Sequence, residues 1–207
     1  MSSSRPTSAP WAQCILYPAV RALAYFIFKV GWRLRVSGIE NVPTTGPLIV
    51  APNHQSYGDP PLVGVAIPRE VHFLAKQELF VFPPFGWLIR CLNAHPLNRA
   101  GDIAAFREAA RIIKAGGAII MFPEGRRMDP GVLGAPKAGV GMLASLTKAP
   151  VVPVYIHNSG YMTRFRRVSV RFGEKVDPAG FGDYQAVAEE VMRRIAAMKA
   201  EADAAGA

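Results

Sequence analysis

With 207 residues, half of them hydrophobic and 19% charged, the chain can build one sizeable core but not two comfortable domains. A formal net charge of +9 points to anionic partners: nucleic acid, acidic lipid or a phosphorylated substrate. Two cysteines, Cys14 and Cys91, exclude a disulfide framework and fit a reducing compartment. Cys91 lies four residues before His95, the spacing of a nucleophile and base, yet reads as a buried structural thiol because nothing around it would activate it.

Residues 1 to 10 are rich in Ser and Pro and read as disordered. From Trp11 to Trp32 the chain is strongly apolar, with Ile15, Leu16, Leu23, Tyr25, Phe26, Ile27, Phe28 and Val30. Pro18, Arg21 and Lys29 interrupt it, so no run reaches the roughly 18 to 20 apolar residues of a spanning helix. Residues 11–35 therefore read as a helical arm, whole or broken, lying in a membrane interface. Trp11, Tyr17, Tyr25 and Trp32 would sit at headgroup depth, and Arg21, Lys29, Arg33 and Arg35 would meet anionic lipid. A signal peptide fits less well, because the charge follows the apolar stretch and no cleavage site is evident. The alternative is a helix packed on the protein's own core, which periodicity cannot distinguish.

Beyond residue 35, short apolar runs alternate with helical stretches, the pattern of an α/β domain with a mostly parallel or mixed central sheet flanked by helices. Leu48-Ile49-Val50-Ala51 and residues 71–75 read as strands. Asp102 is placed to cap a helix running through Lys114, with Ile103, Phe106, Ala109, Ala110 and Ile113 on one face and Gly116 as its stop. Residues 117–122 and 151–156 are buried strands, separated by a short helix over 139–148. Residues 168–172 alternate as an edge or half-exposed strand does. A final helix starts near Tyr184 and extends to about Ala200, with 201–207 expected to fray. The single domain thus covers residues 36–200, without repeat or linker.

Two constellations carry chemistry. In Asn53-His54-Gln55-Ser56-Tyr57-Gly58-Asp59, a histidine precedes an aspartate by five residues, directly after a strand. Pro60 and Pro61 open a helix, so the segment reads strand, tight polar turn, helix. A carboxylate that accepts the proton of one imidazole nitrogen leaves the other as a base. The bland reading is that Asp59 merely caps the helix and His54 is solvated. The second constellation, Phe122-Pro123-Glu124-Gly125-Arg126-Arg127, places a carboxylate, a glycine and two guanidinium groups at another strand end. Arginine forks onto phosphate, and glycine lets backbone amides approach an anion. Arg99, Lys137 and Lys76 are further basic groups that could converge there, since ligands of open α/β sheets gather at the carboxyl ends of strands.

These residues resemble the glycerolipid acyltransferases, typified by bacterial 1-acylglycerol-3-phosphate acyltransferase. The family's Asn-His-x-x-x-x-Asp block matches Asn53, His54 and Asp59, and its arginine-centred block is best matched at Arg99. Its Phe-Pro-Glu-Gly-Thr-Arg-Ser block matches Phe122, Pro123, Glu124, Gly125 and Arg127, and its Val-Pro-Val block matches Val152, Pro153 and Val154. The blocks cover about residues 36 to 175. Arg126 replaces the usual threonine and Met128 the usual serine, both beside the phosphate clamp that the block implies.

The resemblance implies transfer of a fatty acyl group from acyl-CoA or acyl carrier protein to the hydroxyl of lysophosphatidic acid, in phospholipid synthesis. His54 would be the base, oriented by Asp59. Arg99, Glu124, Gly125, Arg126, Arg127, Lys137 and Pro153 would bind substrate. No metal or cofactor is required beyond the acyl thioester co-substrate. The implied setting is the cytoplasmic face of a membrane, with the enzyme peripheral or monotopic. Alternatives are another lysolipid or glycerol 3-phosphate as acceptor, a thioester hydrolase, or a catalytically silent lipid-binding protein. Nucleic acid is not an expected partner, because no interleaved aromatic and basic motif is present.

Overall fold

A computed structural model describes residues 10–97 and 103–205. The expected disorder of the first residues, the Asp102 cap, Arg99 and the side chain of Trp11 lie outside the described residues. The chain runs α1 (Pro10–Gly31), β1 (Arg35–Ser37), β2 (Leu48–Pro52), α2 (Asp59–Ala66), β3 (His72–Lys76), α3 (Pro83–Cys91) and β4 (Ala94–Leu97). It continues through α4 (Ile103–Lys114), β5 (Ala118–Ile120), α5 (Gly139–Thr147), β6 (Val151–His157), β7 (Ser169–Phe172) and α6 (Tyr184–Ala204).

The seven strands form one sheet in the order β1-β7-β6-β2-β5-β3-β4. Every pairing is parallel except β6 with β7, so the sheet is mixed and mostly parallel, as expected. Every residue of β2 is buried, which is why its sequence is an unbroken apolar run rather than an alternation. Helices cover both faces. One core joins α4, α5 and α6 through residues such as Ile113, Leu143, Val191 and Ile195. The other joins Leu62 and Val63 of α2 with Val50, Ile120, Val154 and Phe172 of the sheet.

Several boundaries differ from those expected. β7 is not an edge strand: β1 pairs outside it, and its alternating burial reflects one covered and one half-open face. α4 ends as expected, because Gly116 at φ +84 lets the amides of Gly116 and Gly117 reach the Ile113 and Ile112 carbonyls. Ile103, expected on its apolar face, is exposed instead, and Ala105 and Ile112 point inward. α6 runs four residues further than expected, held by pairs from Lys199 to Asp203 and from Arg171 to Glu201.

The N-terminal arm is one continuous helix with two apolar stripes. Tyr17 is buried, and its hydroxyl accepts the Val71 amide at 3.3 Å. Ala24, Phe28 and Trp32 pack against the core over α2, and the Trp32 indole donates to the Met162 carbonyl at 2.8 Å. Leu23, Phe26, Ile27 and Val30 form the other stripe and are exposed. Packing on the protein's own core thus accounts for one side of the helix and leaves the other uncovered. No helix among the described residues is long and apolar enough to cross a membrane.

On the sheet's far side, His72 Nδ1 lies 3.0 Å from His95 Nε2, and His95 Nδ1 lies 3.4 Å from Glu108. Burial, then the neighbouring His95 and Arg111, hold the His72 imidazole down from 6.5 to about 4 despite the opposing pull of Glu108. Between those pH values the unfolded chain binds the proton and the folded chain does not. His72 therefore makes the fold acid-labile, with full stability above 6.5 and progressive loss toward 4. His72→Gln should flatten the pH dependence of Tm across that window; an unchanged slope would show that other groups set it.

Candidate active site

The site lies where β2 and β5 end side by side, their parallel register running Leu48 to Ala118 through Val50 to Ile120. After Pro52, Asn53 extends the sheet with its side chain. Its Oδ1 accepts the Ile156 amide at 2.7 Å, and its Nδ2 donates to the Ile156 carbonyl at 3.2 Å. That pair of bonds anchors the turn to β6 and lets the backbone leave the sheet at His54.

Asp59 is fully buried at the first position of α2, where Pro60 and Pro61 follow without loss because first-turn amides have no intrahelical partner. It does not cap its own helix. Its Oδ2 turns back to accept the amides of Gln55 and Ser56, both at 2.7 Å, and the His54 Nδ1–H at 2.9 Å. The solvated-turn reading of His54 is excluded by this geometry. The imidazole is stacked on Phe122 at 3.9 Å between centroids, with its side chain 17% exposed. Its Nε2 has no hydrogen-bond partner among the described residues and is left as a proton acceptor.

The second loop grips the same histidine by its backbone. Glu124 Oε2 accepts the His54 amide at 2.8 Å, Oε1 accepts the Gly134 amide at 2.8 Å, and the Met128 amide donates to the His54 carbonyl at 2.7 Å. Burial raises the Glu124 carboxyl above its usual value, and the Gly134 and His54 amides pull against that. Glu124 was expected to hold the acceptor's phosphate end. Both its oxygens are instead committed to backbone amides, and a carboxylate would repel a phosphate. Its part is to position His54.

Gly125 adopts φ +64, and a Cβ there would come within 2.8 Å of the Lys137 side chain, so glycine admits both the turn and the lysine. Lys137 is pinned by its amide to the Pro123 carbonyl at 2.8 Å. Arg127 stacks on Tyr57, with its guanidinium carbon 3.6 Å from the ring centroid and Nη2 donating to the Tyr57 hydroxyl at 2.9 Å. Arg126 is exposed on the same loop.

His54, Asp59, Glu124, Gly125, Arg127 and Lys137 are therefore brought together. Pro153 is not: it lies buried inside β6, in register with Ala51 and facing away from the turn. Its carbonyl accepts the Gly173 amide, so its missing N–H faces β7. There a one-residue bulge interrupts the ladder between the Val154–Phe172 and Val151–Val176 pairs. The sequence marks Asn53 and Phe122 as block residues without giving either a role, and gives none to Tyr57, whose only signal is an aromatic ring between the two ionisable residues.

A family model described as Acyltransferase matches residues 33–157, and the chain belongs to that family. A probable 1-acyl-sn-glycerol-3-phosphate acyltransferase of Mycoplasma pneumoniae is 30% identical over 199 residues, covering 84% of this chain and 74% of the relative. The 1-acyl-sn-glycerol-3-phosphate acyltransferase of Streptococcus pneumoniae is 33% identical over 137 residues, 63% of this chain and 50% of its own length. The chloroplastic enzyme of that name from Brassica napus is 28% identical over 154 residues; the match spans 72% of this chain and 41% of that relative. The crystal structure of the 1-acyl-sn-glycerophosphate (LPA) acyltransferase PlsC from Thermotoga maritima superposes with a TM-score of 0.75 at 31% identity, covering 90% of this chain and 83% of that one. The expected family and fold are both borne out.

Glu124→Gln keeps the shape but offers an amide N–H to one of the two backbone donors. Leaving a buried donor unpaired costs about 1–3 kcal/mol, so Tm should fall by several degrees and turnover should fall with it. Wild-type Tm and turnover in that variant would remove Glu124 from the support of His54.

Proposed function

We propose that the protein transfers a fatty acyl group from a thioester, acyl-CoA or acyl carrier protein, to the hydroxyl of 1-acylglycerol 3-phosphate at a membrane surface. The observation that carries this reading is the His54–Asp59 pair, with Nε2 available, on the same strand-end surface as the guanidinium of Arg127. His54 Nε2 takes the hydroxyl proton as the oxygen attacks the thioester carbonyl. Asp59 stabilises the imidazolium, which then returns the proton to the departing thiolate sulfur, so that free thiol and acylated lipid leave. General-base help supplies roughly a hundred- to ten-thousandfold in rate, and fixed positioning supplies much of the remainder.

Arg127 and Lys137 receive the acceptor's phosphate. Arg127 is held on Tyr57 in advance, so less side-chain freedom is lost on binding. Arg126 in place of threonine adds a third cation to this loop. The exposed stripe of α1 supports a peripheral or monotopic association, on the cytoplasmic face where anionic lipid concentrates. Burying Leu23, Phe26, Ile27 and Val30 in lipid would contribute roughly 1 to 2 kcal/mol each, discounted for their partial burial.

Thiol release from acyl-CoA, and from acyl carrier protein, should depend on added lysophosphatidic acid. Release that ignores the acceptor would identify a hydrolase, and no release from either donor a lipid-binding protein. His54→Ala should lower kcat by about a hundredfold or more with an unchanged circular dichroism spectrum; substantial residual turnover would assign the base to another group. Arg127→Ala should raise the acceptor KM roughly tenfold or more while changing kcat less, because a charge-assisted phosphate contact is mainly binding energy. An unaltered KM would contradict the clamp.

A further inference from the structure

The positive charge is segregated along the chain. No Asp or Glu occurs in residues 1–39 or in residues 130–173. The fold joins these two stretches: β1 pairs with β7, and the Val168 amide donates to the Trp32 carbonyl at 3.0 Å. At the junction the Trp32 ring stacks on Phe165, with centroids 5.5 Å apart and planes 17° apart.

Two further observations bear on this junction. On α4 and α6, cations face carboxylates: Arg111 pairs with Glu108, Arg193 and Arg194 with Glu190, and Lys199 with Asp203. Lys29, Arg33, Arg35, Arg164, Arg166 and Arg167, by contrast, make no ion pair among the described residues. Lys29, Arg35 and Arg167 line an open cleft of about 640 Å³ together with His157. Phe165 also holds φ +49, an unusual conformation for a bulky side chain, and its ring is 69% exposed.

We propose that this cleft and the Arg164–Arg167 loop form a docking site for the headgroups of anionic phospholipids in a bilayer, separate from the acceptor clamp at Arg127. Cations without a carboxylate partner, around an exposed aromatic stack, fit the headgroup layer, where anionic phosphates lie above an apolar medium. The exposed Leu23, Phe26, Ile27 and Val30 of α1 lie on the helix that ends at this stack. An acidic soluble protein would satisfy the cations and leave that stripe in water, whereas a bilayer satisfies both. The segment before the loop also reaches the catalytic turn, with Met162 Sδ 3.8 Å from Ser56 Oγ. Docking there would hold the His54 site at the lipid surface; that consequence rests on the transfer reading above, while the lipid contact itself does not.

The test is partition of the full chain onto phosphatidylcholine vesicles with and without phosphatidylglycerol. Arg164→Gln, Arg166→Gln and Arg167→Gln together should lower binding to the anionic vesicles roughly tenfold or more and remove most of its salt sensitivity. Arg166→Gln alone should lower it about fivefold. An equal charge removal on the opposite layer, Arg107→Gln, Lys114→Gln and Lys148→Gln, should leave binding within about twofold of wild type. Equal losses in the two triple variants, or wild-type binding by the loop variant, would overturn the site. So would a raised acyl-CoA KM in neutral detergent micelles with unchanged vesicle binding, since the cations would then serve the donor. If the wild-type chain shows no transfer in such micelles while vesicle binding behaves as stated, the transfer reading fails and the docking surface stands.

Discussion

One carboxylate oxygen, Asp59 Oδ2, accepts three N–H groups within 2.9 Å: the His54 imidazole and the amides of Gln55 and Ser56. A fully buried carboxylate is costly unless it is well paired, and here the two amides add to the pairing that the imidazole provides. The His54–Asp59 turn is thereby closed on itself. Its orientation in the fold comes from outside, through Asn53 on β6 and through Glu124 and Met128 of the following loop. Two buried carboxylates thus share the support of one histidine. Asp59 fixes the ring, and Glu124 fixes the backbone that carries it.

Much of this was legible in the sequence because the signals were local. The apolar run of β2, the polar turn and the paired prolines define strand, turn and helix within twenty residues, and His54 and Asp59 meet inside that span. Glu124 was found and its partner was not. A bond from its carboxylate to a backbone amide seventy positions earlier leaves no mark on residue type. Pro153 misled for the opposite reason: its motif is conspicuous, but its cause is a bulge between β6 and β7. The Tyr57 platform was missed because it depends on where the second loop sets Arg127, a tertiary fact.

The N-terminal helix shows how the two readings of an apolar segment can each describe part of it. Periodicity measures how many apolar residues a helix carries, not how many surfaces cover them. α1 seats Tyr17 and Phe28 on the domain, with Trp32 just past its end, and leaves Leu23, Phe26, Ile27 and Val30 outside. Because α1 is packed against α2, whose first residue is Asp59, any surface that takes up the outer stripe is held at a fixed distance from the His54–Asp59 pair.

A base at His54 requires that a single ring proton reside on Nδ1. Nitrogen-15 NMR of the His54 ring in the resting protein reads it directly. A proton held on Nδ1, with Nε2 bare, is the result that geometry requires, and Asp59→Asn should abolish that preference. A ring protonated on Nε2 in the wild-type chain would leave no lone pair for a lipid alcohol and would contradict the account.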